Sequence, residues 1–163
     1  MAAATKKRLL QSAAFSPKFF STTASRVLRT GDTLRQTRVF SCEDILRYSE
    51  VSHDSNPLHF DPEVARSSGF EDRLVHGMLV AALFPRIISS NFPGAIYASQ
   101  SLHFKTPVYI GEEIIGEVVA TSVREHKNKY IAKFATKCFK KKGDLLVIDG
   151  EATAILPSIC QQQ

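Results

Sequence analysis

Gly77-Met78-Leu79-Val80-Ala81-Ala82-Leu83-Phe84-Pro85-Arg86-Ile87-Ile88-Ser89-Ser90 is the stretch that decides the fold. Its apolar residues fall on every side of a helical projection, which in a water-soluble chain predicts a helix wrapped in core rather than one lying on the surface. Pro85 removes one backbone donor and predicts a kink. Downstream, Asn91 to Gly94 is turn material, and the pattern changes to period two. Four strands are predicted, at 96–106, 113–124, 130–139 and 145–156, separated by turns at 107–112, 127–129 and 140–144. In the third strand Tyr130, Ala132, Phe134, Thr136 and Cys138 share a face and Lys133 and Lys137 take the other; in the fourth Leu146, Ile148, Gly150, Ala152, Ala154 and Leu156 alternate with Asp149, Glu151 and Thr153. Such alternation means a sheet with one covered and one wetter face. Upstream, a short strand is predicted at 33–40. Ser41 and Asp44 have the spacing of a capping box opening a helix at 42–49, and Asp61-Pro62-Glu63 starts a second helix that Gly69 stops. One strand, a helical section and four antiparallel strands make an α+β layout in which the sheet wraps one buried helix.

The 163 residues, 44% of them apolar, suffice for one domain with a real core. The net charge of +5 is concentrated at the start. Residues 1–31 hold Lys6, Lys7, Arg8, Lys18, Arg26 and Arg29 and no acid, leaving 15 of the 21 basic residues against all 16 acidic ones. The remainder is near neutral, which argues against nucleic-acid binding and predicts that Lys127, Lys129 and Lys140 to Lys142 are solvated turn residues. The acid-free opening, rich in Ser, Thr and Ala, with basic residues among Leu9, Leu10, Phe15, Phe19 and Phe20, has the composition of an organellar transit peptide. The expected organisation is a mitochondrial leader at 1–31 and a single domain at 32–163; a plastid address shares this composition. The longest apolar run, Met78 to Phe84, is far below the ~20 residues needed for a bilayer span. Cys42, Cys138 and Cys160 lack metal or redox spacing and read as ordinary thiols. Gln161 to Gln163 read as a frayed end.

The polar loop between the first two helices carries Asp54-Ser55-Asn56-Pro57-Leu58-His59. A turn at Asn56-Pro57 can bring the carboxylate of Asp54 and the imidazole of His59 over one water. Taken alone, the loop also reads as two turns with a half-exposed histidine. A second element, Arg73-Leu74-Val75-His76-Gly77-Met78, leads straight into the apolar helix. It places the Gly77 amide at a helix start, where free N–H groups favour developing negative charge such as an enolate oxygen. His76 could position a substrate or simply open the helix.

The run Tyr48 to His59, followed by Val75-His76-Gly77-Met78-Leu79 and by Ile96 to Phe104, resembles the MaoC-like (R)-specific enoyl-thioester hydratases, also called 3-hydroxyacyl-thioester dehydratases, over about residues 32–157. The resemblance implies a hot-dog fold, a curved antiparallel sheet of about five strands around a central helix, in a homodimer whose two sheets join. It implies Asp54 and His59 as the catalytic pair, with Gly77, His76, Asn56 and Met78 toward the substrate. No cofactor, metal or nucleic acid is implied. The implied substrate is an acyl thioester on acyl carrier protein or coenzyme A, and with the leader the resemblance is to the mitochondrial matrix member serving fatty acid synthesis. An (R)-specific enoyl-CoA hydratase of fatty acid breakdown, a hot-dog thioesterase and a non-catalytic acyl-binding subunit are the alternatives. Two departures stand out. His53 replaces the usual Gly before the catalytic Asp, and Pro85 aligns with a Ser that in some members supports that Asp.

Overall fold

Alternating burial along the strands determines how the sheet closes on the helix. In the computed structural model, which describes residues 26–161, β1 (Thr33–Val39), β2 (Ile96–Phe104), β3 (Glu113–His126), β4 (Lys129–Lys140) and β5 (Leu146–Leu156) form one antiparallel sheet in the order β1-β3-β4-β5-β2. Ile114, Val118 and Ala120 on β3, Ala132, Phe134 and Cys138 on β4, and Ile148, Ala152, Ala154 and Leu156 on β5 are buried on one face, as the period-two reading expects. Register shifts between Tyr97 and Ser99 on β2 and between Ala120 and Ser122 on β3 interrupt the ladder, and such bulges bend a strand. The layout is the α+β hot-dog arrangement that the sequence predicts.

The apolar helix is divided in two: α3 (Gly77–Ala81) and α4 (Leu83–Asn91) meet at Ala82. The break lies three residues before Pro85 because proline has no N–H to donate to the carbonyl of Ala81, so the ladder fails one turn upstream. Nor is the segment covered all round. Val80, Ala81, Leu83, Phe84, Ile87 and Ile88 are buried, while Met78, Ala82, Arg86 and Ser89, spaced three or four residues apart, reach the surface. The helix packs tightly on the sheet at Gly116, where an added Cβ would stand 3.1 Å from Ile87 Cδ1 and 3.3 Å from Leu83 Cβ.

Two further helices carry the loop of interest. Ser41 and Asp44 form the predicted capping box at the start of α1 (Cys42–Ser52), which runs three residues beyond its expected end. Its cap, His53, adopts a left-handed conformation at φ 58°. This accounts for the first departure, since the position favours glycine but tolerates a side chain at a cost of about 1–2 kcal/mol. Asp61 caps α2 (Pro62–Ser67) as predicted, accepting from the N–H groups of Glu63 and Val64.

Three expectations need correction. The folded unit begins before residue 32: Leu28 is 2% exposed and donates its N–H to Ile159 O, Val27 bridges Cys160, and Arg26 pairs with Asp32 at 2.6 Å. Residues 1–25 of the expected leader lie outside the described residues. Gln161 is no frayed end, because its N–H donates to Arg26 O at 2.9 Å. Lys140 is no solvated turn residue either. It is 8% exposed, paired with Glu112 at 2.8 Å, and its ammonium lies 4.8 Å from the Tyr109 ring centre. Cys138 is a core thiol that burial pushes up to about 12, whereas Cys42 and Cys160 are exposed. Among the described residues no helix is long and apolar enough to cross a membrane.

Candidate active site

After α1 ends at His53 the chain turns through Asp54 and Asn56 into a short 3-10 turn, Pro57–His59. Each polar side chain here has a local task. Asp54 Oδ1 accepts from the N–H of Asn56 at 3.2 Å, and Asn56 Oδ1 accepts from the N–H of Leu58 at 3.1 Å, capping the turn. Asn56 therefore shapes the loop and makes no wall of the neighbouring cavity. The turn leaves the other carboxylate oxygen of Asp54, Oδ2, 4.0 Å from His59 Nε2. That separation is too long for a direct hydrogen bond. One oxygen at about 2.8 Å from both atoms would bridge them at an angle of about 90°.

The tautomer of His59 follows from its other nitrogen. Nδ1 lies 2.9 Å from Leu74 O, and a carbonyl oxygen only accepts, so Nδ1 carries the proton and Nε2 is the basic atom of the neutral ring. Leu74 is itself held from both sides: its N–H donates to Leu58 O, and it bridges Tyr109. Asp54 has a half-exposed side chain, and that of His59 is 11% exposed.

His59 and Gly77 share a cavity of about 310 Å³ whose other walls are mainly apolar: Phe70, Leu74, Val75, Val80, Phe104, Pro107, Val108, Val147 and Ile148, with Lys105 and Thr106. Gly77 is the first residue of α3. The N–H groups of Leu79 and Val80 take His76 O, so the amides of Gly77 and Met78 have no helical acceptor ahead of them. An added Cβ at Gly77 would stand 2.8 Å from Phe104 Cε1, so the bare glycine lets that ring close over the amide. Of the four residues expected to face substrate, Gly77 alone lines this cavity. Met78 is 54% exposed on the helix surface, and His76 is 2% exposed and buried behind His59.

His76 donates Nε2–H to Asp54 O at 3.1 Å, and its ring stacks on that of His59 with centres 3.6 Å apart and planes 26° apart. Burial holds its pKa below the ordinary histidine value, outweighing the hydrogen bond to Asp54 O, which raises it; the neighbouring His59 adds to the lowering. Burial therefore favours the neutral ring, and among the described residues its Nδ1 has no partner. Asp54, His59 and His76 bring ligand-type atoms within 4.8 Å of one another. Imidazole lone pairs lie in the ring plane, however, and two stacked rings do not aim theirs at a common point, so this donor set fits a metal only after one ring turns. Pro85 lines a different cavity with Arg86, Ile88, Ser89, Ala95 and Tyr97 and gives Asp54 no support. The walls Phe70 and Val147 carried no signal in the sequence, because strands and loops far apart in the chain assemble them.

Comparison with known proteins identifies the family. The MaoC like domain family matches residues 23–139. The chain is 69% identical over 141 residues to the mitochondrial 3-hydroxyacyl-acyl-carrier-protein dehydratase of Arabidopsis thaliana, covering 86% of this chain and 85% of that one. It is 61% identical to the corresponding mitochondrial dehydratase FERN of Solanum lycopersicum, covering 87% and 86%. Among solved structures, the (R)-hydratase from A. caviae involved in PHA biosynthesis superposes with a TM-score of 0.74 at 39% identity, over 80% of this chain and 98% of that one. The loop bearing Asp54 and His59, the helix opening at Gly77 and the five-stranded sheet around it thus sit in a chain that belongs to the MaoC-like domain family.

Proposed function

We propose that this chain is a hydro-lyase that interconverts (3R)-3-hydroxyacyl and trans-2-enoyl thioesters, as the 3-hydroxyacyl-acyl-carrier-protein dehydratase of mitochondrial fatty acid synthesis. The observation that carries the chemistry is the 4.0 Å gap between His59 Nε2 and Asp54 Oδ2 beside an apolar cavity that also exposes the start of α3. In the hydration direction a water in that gap attacks the β carbon and gives its proton to the Asp54 carboxylate. Protonated His59 delivers a proton from Nε2 to the α carbon. The Gly77 N–H holds the thioester oxygen while it carries enolate charge. Proton exchange between Asp54 and His59 through the next water restores the pair, and dehydration runs the same steps backwards. The roles of Asp54 and His59 exchange if the substrate enters with α and β carbons reversed against the pair. Asn56 supports the loop, and the reaction needs no cofactor.

The carrier reading rests on similarity. Relatives named as carrier-protein dehydratases are 69% and 61% identical, whereas the (R)-specific enoyl-CoA hydratase of Aeromonas caviae is 39% identical. Both dehydratases are named as mitochondrial. Together with the basic, acid-free first 31 residues this supports import into the matrix and removal of a leader. Homodimerisation through β2 has support from the strand itself. It is a nine-residue sheet edge with no Lys, Arg, Asp, Glu or Pro, and its ends Ile96 and Phe104 are 53% and 52% exposed. The opposite edge, β1, carries Arg35 and Arg38 and is protected against such pairing.

A single assay separates the readings. Crotonyl groups on carrier protein and on coenzyme A are offered at matched concentrations while enoyl absorbance and free thiol are both followed. Loss of absorbance without thiol release, faster on the carrier protein, is the expected result. Thiol release would mean a thioesterase, no change would mean a binding subunit, and preference for coenzyme A would move the enzyme to fatty acid breakdown.

A further inference from the structure

We infer that His76 is the positioning residue for both halves of the acid–base pair, setting the placement of Asp54 and His59 without touching the substrate. The inference rests on the reading of those two residues as the catalytic pair. Three observations carry it. First, this one side chain contacts both of them: Nε2–H holds the main-chain oxygen of Asp54 at 3.1 Å, and the ring face lies 3.6 Å from that of His59. Second, His76 begins α3 but makes no side-chain cap bond to it, so the imidazole does nothing for the helix it opens. Third, the ring is buried, is absent from the walls of the substrate cavity, and among the described residues leaves its Nδ1 without a partner. An orphaned buried acceptor is destabilising, so the fold gains nothing from that second nitrogen. A histidine at this position combines a flat face toward His59 with a donor toward Asp54.

The geometry gives each feature its consequence. The bond to Asp54 O fixes the loop that carries the carboxylate, and the stack limits rotation of His59 about the axis that aims Nε2. A neutral neighbour also leaves His59 free to take a proton, where a cation in the same place would oppose it. The groups facing His76 are Asp54 and His59 from the loop and 3-10 turn, Tyr48 from α1 with ring centres 4.9 Å apart, and Phe60 edge-on at 6.2 Å.

The test uses the full chain and crotonyl thioester, with two substitutions that split the two contacts. His76→Phe keeps a flat ring on His59 and loses the donor; His76→Gln keeps a donor and loses the ring. Both are expected to lower kcat by about 10- to 100-fold, the scale of an ångström-sized misplacement, with KM within about twofold. His76→Phe should do so while keeping its Tm, which a purely architectural role would not produce. A folded variant with parental kcat overturns the proposal, and so does a raised KM with unchanged kcat, which would make His76 a substrate contact. Should a variant fail to fold, the nitrogen NMR shifts of the parent chain decide the matter. His59 protonated on Nδ1 and His76 on Nε2, with His76 neutral where a free imidazole titrates, supports the proposal; the opposite tautomer at His76 overturns it. Asp54→Asn and His59→Ala are measured alongside. Activity surviving in those two refutes the catalytic pair itself, a failure distinct from normal activity in the His76 variants alone.

Discussion

Replacing Gly77 with Ala adds one methyl at the point where helix, cavity wall and proposed thioester site meet. That carbon would lie 2.8 Å from Phe104 Cε1 and 3.2 Å from Cδ1, against a comfortable carbon–carbon distance of about 3.5–4.0 Å, so the ring must retreat by about 1 Å. Phe104 is only half buried within the chain, which keeps its share of the packing penalty at the low end of the ~1–3 kcal/mol typical of overfilled sites. Alanine recovers up to about 1 kcal/mol of helix propensity. Stability should therefore change by no more than about 1 kcal/mol in either direction. Activity should not escape so lightly. The methyl and the displaced ring intrude where the thioester oxygen meets the Gly77 amide, and an ångström of misplacement there is worth up to about 10²-fold in turnover. The assay pairs thermal unfolding with crotonyl-thioester hydration: near-parental Tm and a kcat/KM reduced about 10²-fold are expected. A folded Gly77→Ala enzyme with kcat/KM within about threefold of the parent would refute the role of this amide.

Other perturbations test the fold around the site. A chain starting at Asp32 loses buried Leu28 and should be weaker than one starting at Arg26 by about 2–5 kcal/mol in urea titration. Lys140→Met leaves Glu112 without its ammonium partner. Because the Glu112 side chain is one-third exposed, the loss should be about 1–3 kcal/mol, less than for a fully buried pair. His76 has a folded-state pKa depressed by burial below the ordinary 6.5, so the unfolded chain takes up a proton first as the medium is acidified. Its contribution is thus fully present above pH 6.5 and is lost progressively as pH falls through the folded-state value, a slope that His76→Gln should remove from a stability–pH curve.

Periodicity made the sheet legible. Period-two burial in β4 and β5 and the turns between strands depend on neighbours close in the chain, and their predicted limits agree with the observed ones to within a residue or two. The capping box and the Asp61 cap were readable for the same reason. The split at Ala82 was less so, because proline marks the place where the donor is missing and not the carbonyl one turn upstream where the helix gives way. Burial of Lys140 and of Leu28 depends on partners 28 and 131 residues away, Glu112 and Ile159, and no local pattern announces such pairings. At the site, the Asp54-x-Asn56-Pro57-x-His59 spacing pointed to a candidate pair, and the segment leading into the apolar helix pointed to Gly77. Stacking of His76 on His59 and the Leu74 carbonyl that fixes the tautomer arise from segments about 15 residues on, and only folding brings them together.

The central claim is that one carboxylate and one imidazole share the proton traffic of hydration. Turnover of Asp54→Asn and of His59→Ala on crotonyl-carrier protein, each variant first confirmed as folded, tests it most directly. The account predicts that each loses at least about 10²-fold in kcat. Turnover near the parental rate in either one would contradict it.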